Sequence, residues 1–251
     1  MNLESSLRRN ARKFAPESAV ARLHSWLRPR VLHYHIARLL KDSDPYPDGS
    51  EKSIDLMNRL VYAWDNPDWS ADARYLIECG RQARTATGTV LECGTGLTTL
   101  IVASVLQQRG NAKLVSLEHD AGWAASIQTW LSRYDLSSAR VITKPLKQYD
   151  SYQWYDVSEL ECDSISLVIC DGPPSTTQGG RGGLLWVLLN NLHSNCLILL
   201  DDCQRQEEMD ILAAWSRRAP LRFAVEGVEK KFARVQLKLG AARSGVAVSS
   251  H

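Results

Sequence analysis

From residue 88 onward the chain alternates short apolar runs with amphipathic stretches, and that alternation limits its fold more than any other feature. TVLEC (89–93), KLVSLE (113–118), ARVIT (139–143), ISLVIC (165–170), CLILL (196–200), LRFAVE (221–226) and KFARVQLKL (231–239) have the length and content of buried strands. Between the first two, Leu97, Leu100, Ile101 and Val105 recur at helical spacing until Gly110 ends the run. After the second, Trp123, Ile127, Trp130, Leu131 and Tyr134 share one helical face. Strand and helix in alternation predict an α/β architecture with a seven-stranded, mostly parallel sheet. The last two strands, joined by EGVEK, read as an antiparallel pair at one end.

The preceding residues read differently. Leu23, Leu27, Val31 and Tyr34 suggest helix in the first forty residues, with Pro29 forcing a break. DSDPYPDGS (42–50) has the chemistry of a loop, and a second helix follows over about residues 51–63. NPDWS (66–70) offers Asp68 or Ser70 as the N-cap of a third helix, reaching roughly Cys79. The expected division is therefore a basic helical segment over 1–84, one domain over 85–240, and a flexible tail, GAARSGVAVSSH, whose last eleven residues are 241–251.

At 251 residues with 44% hydrophobic side chains, the chain can bury a substantial core. Its longest apolar runs fall far short of the roughly 20 residues that cross a bilayer, and no secretory signal opens the sequence. Cys79, Cys93, Cys162, Cys170, Cys196 and Cys203 form no CxxC pair, so reduced core thiols and a cytoplasmic setting are expected. The net charge of +2 hides an asymmetry: residues 1–41 alone carry +7. This basic arm either packs as a solvated helix on its own domain or meets an acidic face, an anionic substrate or a membrane surface.

In open α/β sheets ligands sit beyond the carboxyl ends of the strands, and those positions are acidic here. Glu92 begins a turn with Gly94 and Gly96 after the first strand; Glu118 ends the second, Asp171 follows the fourth, and Asp201 and Asp202 follow the fifth. The two glycines allow a tight turn and close approach of a ligand, with the amides of the next helix start facing an anionic group. A dinucleotide fingerprint would place a third glycine where Thr99 stands. Glu118, 26 residues after Glu92, suits the two hydroxyls of a ribose, a role that NAD and other adenosine ligands satisfy equally.

Taken in order, VLECGTGLTTL, LVSLEHDAGWAASI, KPLKQY with WYD, LVICDGPP, Arg181 and ILLDDCQRQEE resemble the class I S-adenosylmethionine-dependent methyltransferases. The likeness is to methyltransferase family 24, relatives of catechol O-methyltransferase, and covers about residues 85–240. It implies a Rossmann-like sheet with Glu92, Gly94 and Gly96 at the methionine end of the donor, Glu118 on the ribose and His119 beside the adenosine. Where the family often has a polar contact to adenine, this chain has Lys144, Pro145 and Leu146.

The same resemblance implies a magnesium ion held by Asp171, Asp201 and Asp202, with Asp in place of a final Asn. The competing arrangement has no metal: Asp171 meets cofactor or substrate directly and Asp201 or Asp202 caps the next helix. The lysine base of catechol-type enzymes is replaced by Pro174; either Asp171 accepts the proton or the metal suffices, while His193, the other candidate, is expected on a helix surface. Tyr149, Tyr152, Trp154 and Tyr155 either wall the cofactor or pack an insertion onto the sheet. STTQGGRGG (175–183) reads as a mobile loop near the site, with Arg181 free to pair with an acidic substrate or with Asp171.

The expected activity is methyl transfer from S-adenosylmethionine to an oxygen, less readily a nitrogen, of a small-molecule or glycan-type acceptor. The rivals are a binding protein of the same fold without turnover and an NAD-type oxidoreductase. Nucleic acid is disfavoured as a partner because DGPP stands in place of an NPPY-like signature and the basic residues cluster in the N-terminal arm.

Overall fold

The structure, a computed structural model, describes residues 17–41, 49–66, 71–110, 112–162 and 164–239. Three helices come first: α1 (Glu17–Lys41), α2 (Glu51–Trp64) and α3 (Ala73–Thr85). Then follow β1 (Thr89–Cys93), α4 (Leu97–Arg109), β2 (Leu114–Glu118), α5 (Ala121–Arg133) and β3 (Ala139–Thr143). A short hairpin, β4 (Leu146–Tyr149) and β5 (Tyr152–Tyr155), precedes β6 (Ile165–Cys170). After a 3₁₀ turn at Gly180–Gly182 come α6 (Gly183–Leu188), β7 (Leu192–Leu200), α7 (Gln206–Arg218), β8 (Leu221–Gly227) and β9 (Lys231–Leu237).

The main sheet has seven strands in the order β3-β2-β1-β6-β7-β9-β8. β3, β2, β1, β6 and β7 are parallel, while β9 runs antiparallel to both neighbours and sits between β7 and the edge strand β8. The seven expected strands are all present, and CLILL extends back to Leu192, which moves His193 from a helix to a strand.

Central strands bury alternate residues on opposite faces, so the sheet divides the core in two. Val90, Leu114, Leu167, Ile169 and Leu199 face a layer built from α3, α4 and α5, which α1 and α2 cover in turn. Leu91, Leu117, Val168, Cys170 and Ile198 face the β4–β5 hairpin, α6 and α7. All six cysteines are free and buried.

The N-terminal helices differ from expectation in register. α1 is one helix with Pro29 inside it, and its buried stripe is Leu32, Ile36 and Leu39; Leu23 and Tyr34 are exposed. Proline removes one backbone donor and displaces the turn before it, which frees carbonyls for other partners. One turn on from Trp26, Arg30 donates from its guanidinium to the Trp26 carbonyl at 2.8 Å. Asp68 and Ser70 lie outside the described residues, and the cap of α3 is instead Asp72, whose carboxylate accepts the Tyr75 amide at 2.8 Å. Most of the 42–50 loop and the 241–251 tail also lie outside them. Among the described residues no helix is long and apolar enough to cross a membrane.

Candidate functional site

Backbone hydrogen bonds bring the acidic strand ends level. Gly94 N donates to Leu117 O at 2.9 Å, Asp171 N to Cys93 O at 3.0 Å and Asp201 N to Cys170 O at 3.1 Å. The ends of β2, β1, β6 and β7 therefore share one rim. There a cleft of about 790 Å³ opens, within the range of small-molecule sites. Its lining includes Gly94, Thr95, Glu118, His119, Tyr155, Asp171, Arg181, Asp201 and Asp202.

The glycine turn is closed by hydrogen bonds from its own amides. Gly94 has φ +84°, and a Cβ there would stand 3.1 Å from the Gly172 amide nitrogen, so both the conformation and the close crossing of the two strand ends require glycine. Gly96 is extended, and a Cβ there would meet nothing within 4 Å. The position of the missing third glycine explains itself. Thr99 Oγ1 accepts the Gly96 amide at 2.9 Å and donates to Glu92 Oε2 at 2.7 Å, closing the start of α4.

Glu92 lies behind this turn and is fully buried, away from the cleft wall. Ser116 Oγ also donates to its Oε2, at 2.6 Å, while Oε1 has no partner. Burial pushes the carboxyl up to about 7, against the pull of the hydroxyls of Ser116, Thr98 and Thr99.

Glu118 faces the cleft. Its Oε2 accepts the Thr95 amide at 3.0 Å and the Thr95 hydroxyl at 2.9 Å; its Oε1 accepts the amides of His119 at 2.8 Å and Asp120 at 3.0 Å. Trp123 braces the turn from outside, donating from Nε1 to Thr95 O at 2.8 Å. The amides of Gly94, Thr95 and Gly96 are thus committed within the chain, to Leu117 O, Glu118 Oε2 and Thr99 Oγ1.

The other half of the rim is organised by one cation. Arg181 is 3% exposed. Its Nη2 donates to Asp171 Oδ1 at 3.0 Å and Asp202 Oδ2 at 2.7 Å; its Nη1 donates to the Asp201 carbonyl at 2.7 Å and lies 3.7 Å from Glu208 Oε1. Burial opposes the guanidinium charge, but the surrounding carboxylates hold it firmly protonated. Burial pushes Asp171 up to about 6 despite Arg181, and burial with the neighbouring Asp171 and Asp202 holds Asp201 well above the usual carboxylate range. Asp202 goes the other way: burial would raise it, and Arg181 with Arg205 holds it below the usual range.

This geometry does not fit the magnesium site expected at Asp171, Asp201 and Asp202. A guanidinium lies between the Asp171 and Asp202 carboxylates and takes the Asp201 main-chain carbonyl, while the Asp201 carboxylate accepts the Asp202 amide, so a divalent ion would meet that charge head on. Among the described residues no group of three acidic, histidine or cysteine side chains converges as metal ligands. The helix-capping alternative fails too, since the start of α7 at Arg205 has no side-chain cap.

The glycine-rich segment is likewise packed. Gly183 abuts Trp154, where a Cβ would stand 2.4 Å from the indole, and Trp215 Nε1 donates to Gly182 O at 3.0 Å. Of the aromatic segment, Trp154 is a core residue and Tyr155 reaches the cleft, its buried hydroxyl without a partner. His193 is exposed on β7 and is not part of the cleft. Lys144 and Leu146 also lie outside its lining. Glu208, Arg205, Lys230 and Thr95 join the site without having been expected; the sequence signal for Arg205 and Glu208 was their place just after the paired aspartates.

Residues 91–203 match the family model described as a methyltransferase domain, that of methyltransferase family 24. No curated protein matches the sequence. Among solved structures, the O-methyltransferase from Bacillus cereus in complex with SAH is 12% identical with a TM-score of 0.55, over 76% of this chain and 93% of that one. SAH-bound PaMTH1 from Podospora anserina is 15% identical with a TM-score of 0.53, over 89% and 97%. The O-methyltransferase TomG from Streptomyces achromogenes, in complex with SAM, is 13% identical with a TM-score of 0.53, over 75% and 91%. With this sheet order and this family match, residues 91–203 form a methyltransferase domain of the family 24 type.

Proposed function

We propose that the protein transfers a methyl group from S-adenosylmethionine to an oxygen of a small-molecule or glycan-type acceptor, within a catalytic domain spanning residues 85–240 that follows a helical segment over 1–84, whose described helices α1, α2 and α3 pack over one face of the sheet. The observation that carries this reading is Glu118, a carboxylate at the tip of β2 that faces the cleft directly beside the Gly94–Gly96 turn. The oxygen preference draws on the similar structures that are named O-methyltransferases.

Glu118 would hold the ribose diol, with the Thr95 hydroxyl giving way to it. Gly94 and Gly96 leave room for the methionine end, while Glu92 supports that turn from behind through Thr99. His119, next to Glu118, would border the adenosine. The donor, when bound, supplies an electrophilic methyl on a sulfonium. Asp171 would take the acceptor's proton: its side chain is 26% exposed, and a carboxyl near 6 is ionised at neutral pH while remaining a usable base. Arg181 holds one oxygen of that carboxylate in place.

The N-terminal arm is assigned a separate role at an anionic surface, because the exposed side of α1 sets Leu23, Trp26 and Tyr34 beside Arg22 and Arg30.

Calorimetry with S-adenosylhomocysteine and with NAD tests the donor site. The first is expected to bind, with affinity lost at least a hundredfold in Glu118→Ala, and NAD is not. Binding of NAD alone, or S-adenosylhomocysteine affinity unchanged in Glu118→Ala, would overturn the reading.

A further inference from the structure

The oxygens around Arg181 are those a hard divalent cation selects: two carboxylates, a third carboxylate slightly farther out, and a main-chain carbonyl. Glu208 is 2% exposed, its Oε2 has no partner, and the Arg181 guanidinium, at 3.7 Å, supplies its only ion pair among the described residues. The Arg181 Nε is unpartnered as well, so the guanidinium is held by its two terminal nitrogens alone.

A buried set of acids this dense must be neutralised, since carboxylates in a low-dielectric setting repel strongly and an unpaired buried charge is costly. The fold meets the requirement covalently, with a residue anchored in the packed 180–183 turn against Ile211, Trp186 and Trp154. The guanidinium nitrogens take the place a cation would fill, and among the described residues no three acids converge as metal ligands.

We propose that Arg181 is a built-in counter-ion that takes the place of a divalent metal at this rim, making the wild-type site indifferent to such ions, and that removing its charge turns the same oxygens into a divalent-cation site. Without the guanidinium, Asp171 and Glu208 lose their ion pair and Asp202 keeps only the one to the exposed Arg205, so an added cation is what draws the three together. The inference does not depend on the donor: S-adenosylhomocysteine binding tests the methyltransferase reading, and ion response tests this one.

The experiment is thermal melting of the chelator-treated full chain with and without magnesium or manganese, for wild type, Arg181→Lys, Arg181→Met and Arg181→Met/Asp202→Asn. Wild type and Arg181→Lys are expected to melt at the same temperature with or without ion. Arg181→Met should melt lower and recover by about 5–10 °C at a hundredfold excess of ion over its Kd. The double variant, with one carboxylate fewer, should recover less. Manganese spin resonance gives a second readout, with bound ion in Arg181→Met only. An ion-dependent rise in the wild-type melting temperature, or manganese bound by wild type or Arg181→Lys, overturns the proposal. So does an Arg181→Met protein that neither melts higher nor binds manganese. If Arg181→Met is soluble only when prepared with manganese, the proposal is supported; if it aggregates with and without the ion, the latent cation site is refuted.

Discussion

The two halves of the ligand rim restrain the same kind of side chain by different means. On the β1–β2 half, Glu92 and Glu118 are held by hydroxyls and main-chain amides, each carboxylate with its own set. On the β6–β7 half, Asp171, Asp202 and Glu208 share a single guanidinium. The first arrangement fails locally, one hydrogen bond at a time. The second is coupled, because all three pair with Arg181 and only Asp202 has a second cation, Arg205.

The largest effect is therefore expected at Arg181. In the absence of added ions, Arg181→Met should destabilise the fold by about 3–5 kcal/mol, the usual cost of leaving buried charges unpaired. Its defining property is coupling: adding Asp202→Asn should recover about 1–3 kcal/mol of that loss, measured as a double-mutant cycle in denaturant melts. Strict additivity would show that the cluster is a set of independent contacts.

Glu92 sharpens the contrast through pH. Its folded-state value near 7 lies above the unfolded one, so the fold binds the extra proton and loses stability as pH rises from about 4.5 to 7. Glu92→Gln should remove up to about 3 kcal/mol of that decline. Unfolding curves of both proteins between pH 4 and 8 read it; a wild type whose stability rises across this window would contradict the assignment.

The smallest effect on stability is expected where a polar atom has no partner at all. Tyr155→Phe removes an unpaired hydroxyl and should leave the melting temperature within a few degrees of wild type. If that hydroxyl serves the bound donor, S-adenosylhomocysteine affinity falls about tenfold, one hydrogen bond's worth. Equal affinity would assign Tyr155 to the cleft wall alone.

Much of this was readable from the chain. Short apolar runs alternating with amphipathic stretches, and the acids at the strand ends, located the sheet, its ligand end and both carboxylate groups, because these depend on local pattern. What escaped depends on three dimensions. Leu23, Leu27, Val31 and Tyr34 satisfy helical spacing as well as Leu32, Ile36 and Leu39 do, and only packing against α2 and α4 decides which stripe is inside. The hairpin at 146–155 was hidden in an aromatic run, although two four-residue strands flanking Asp150 and Ser151 are a hairpin pattern. Arg181 stands ten residues from Asp171 and 21 from Asp202, so the sequence could not distinguish acids that hold a metal from acids that share an arginine.

A crystal structure with S-adenosylhomocysteine tests the central claim most directly. The account predicts both ribose hydroxyls on the Glu118 carboxylate, with the Thr95 side chain turned away and Glu92 still sealed behind the turn. A ligand whose ribose lies elsewhere while Glu118 keeps all four of its present donors would contradict it.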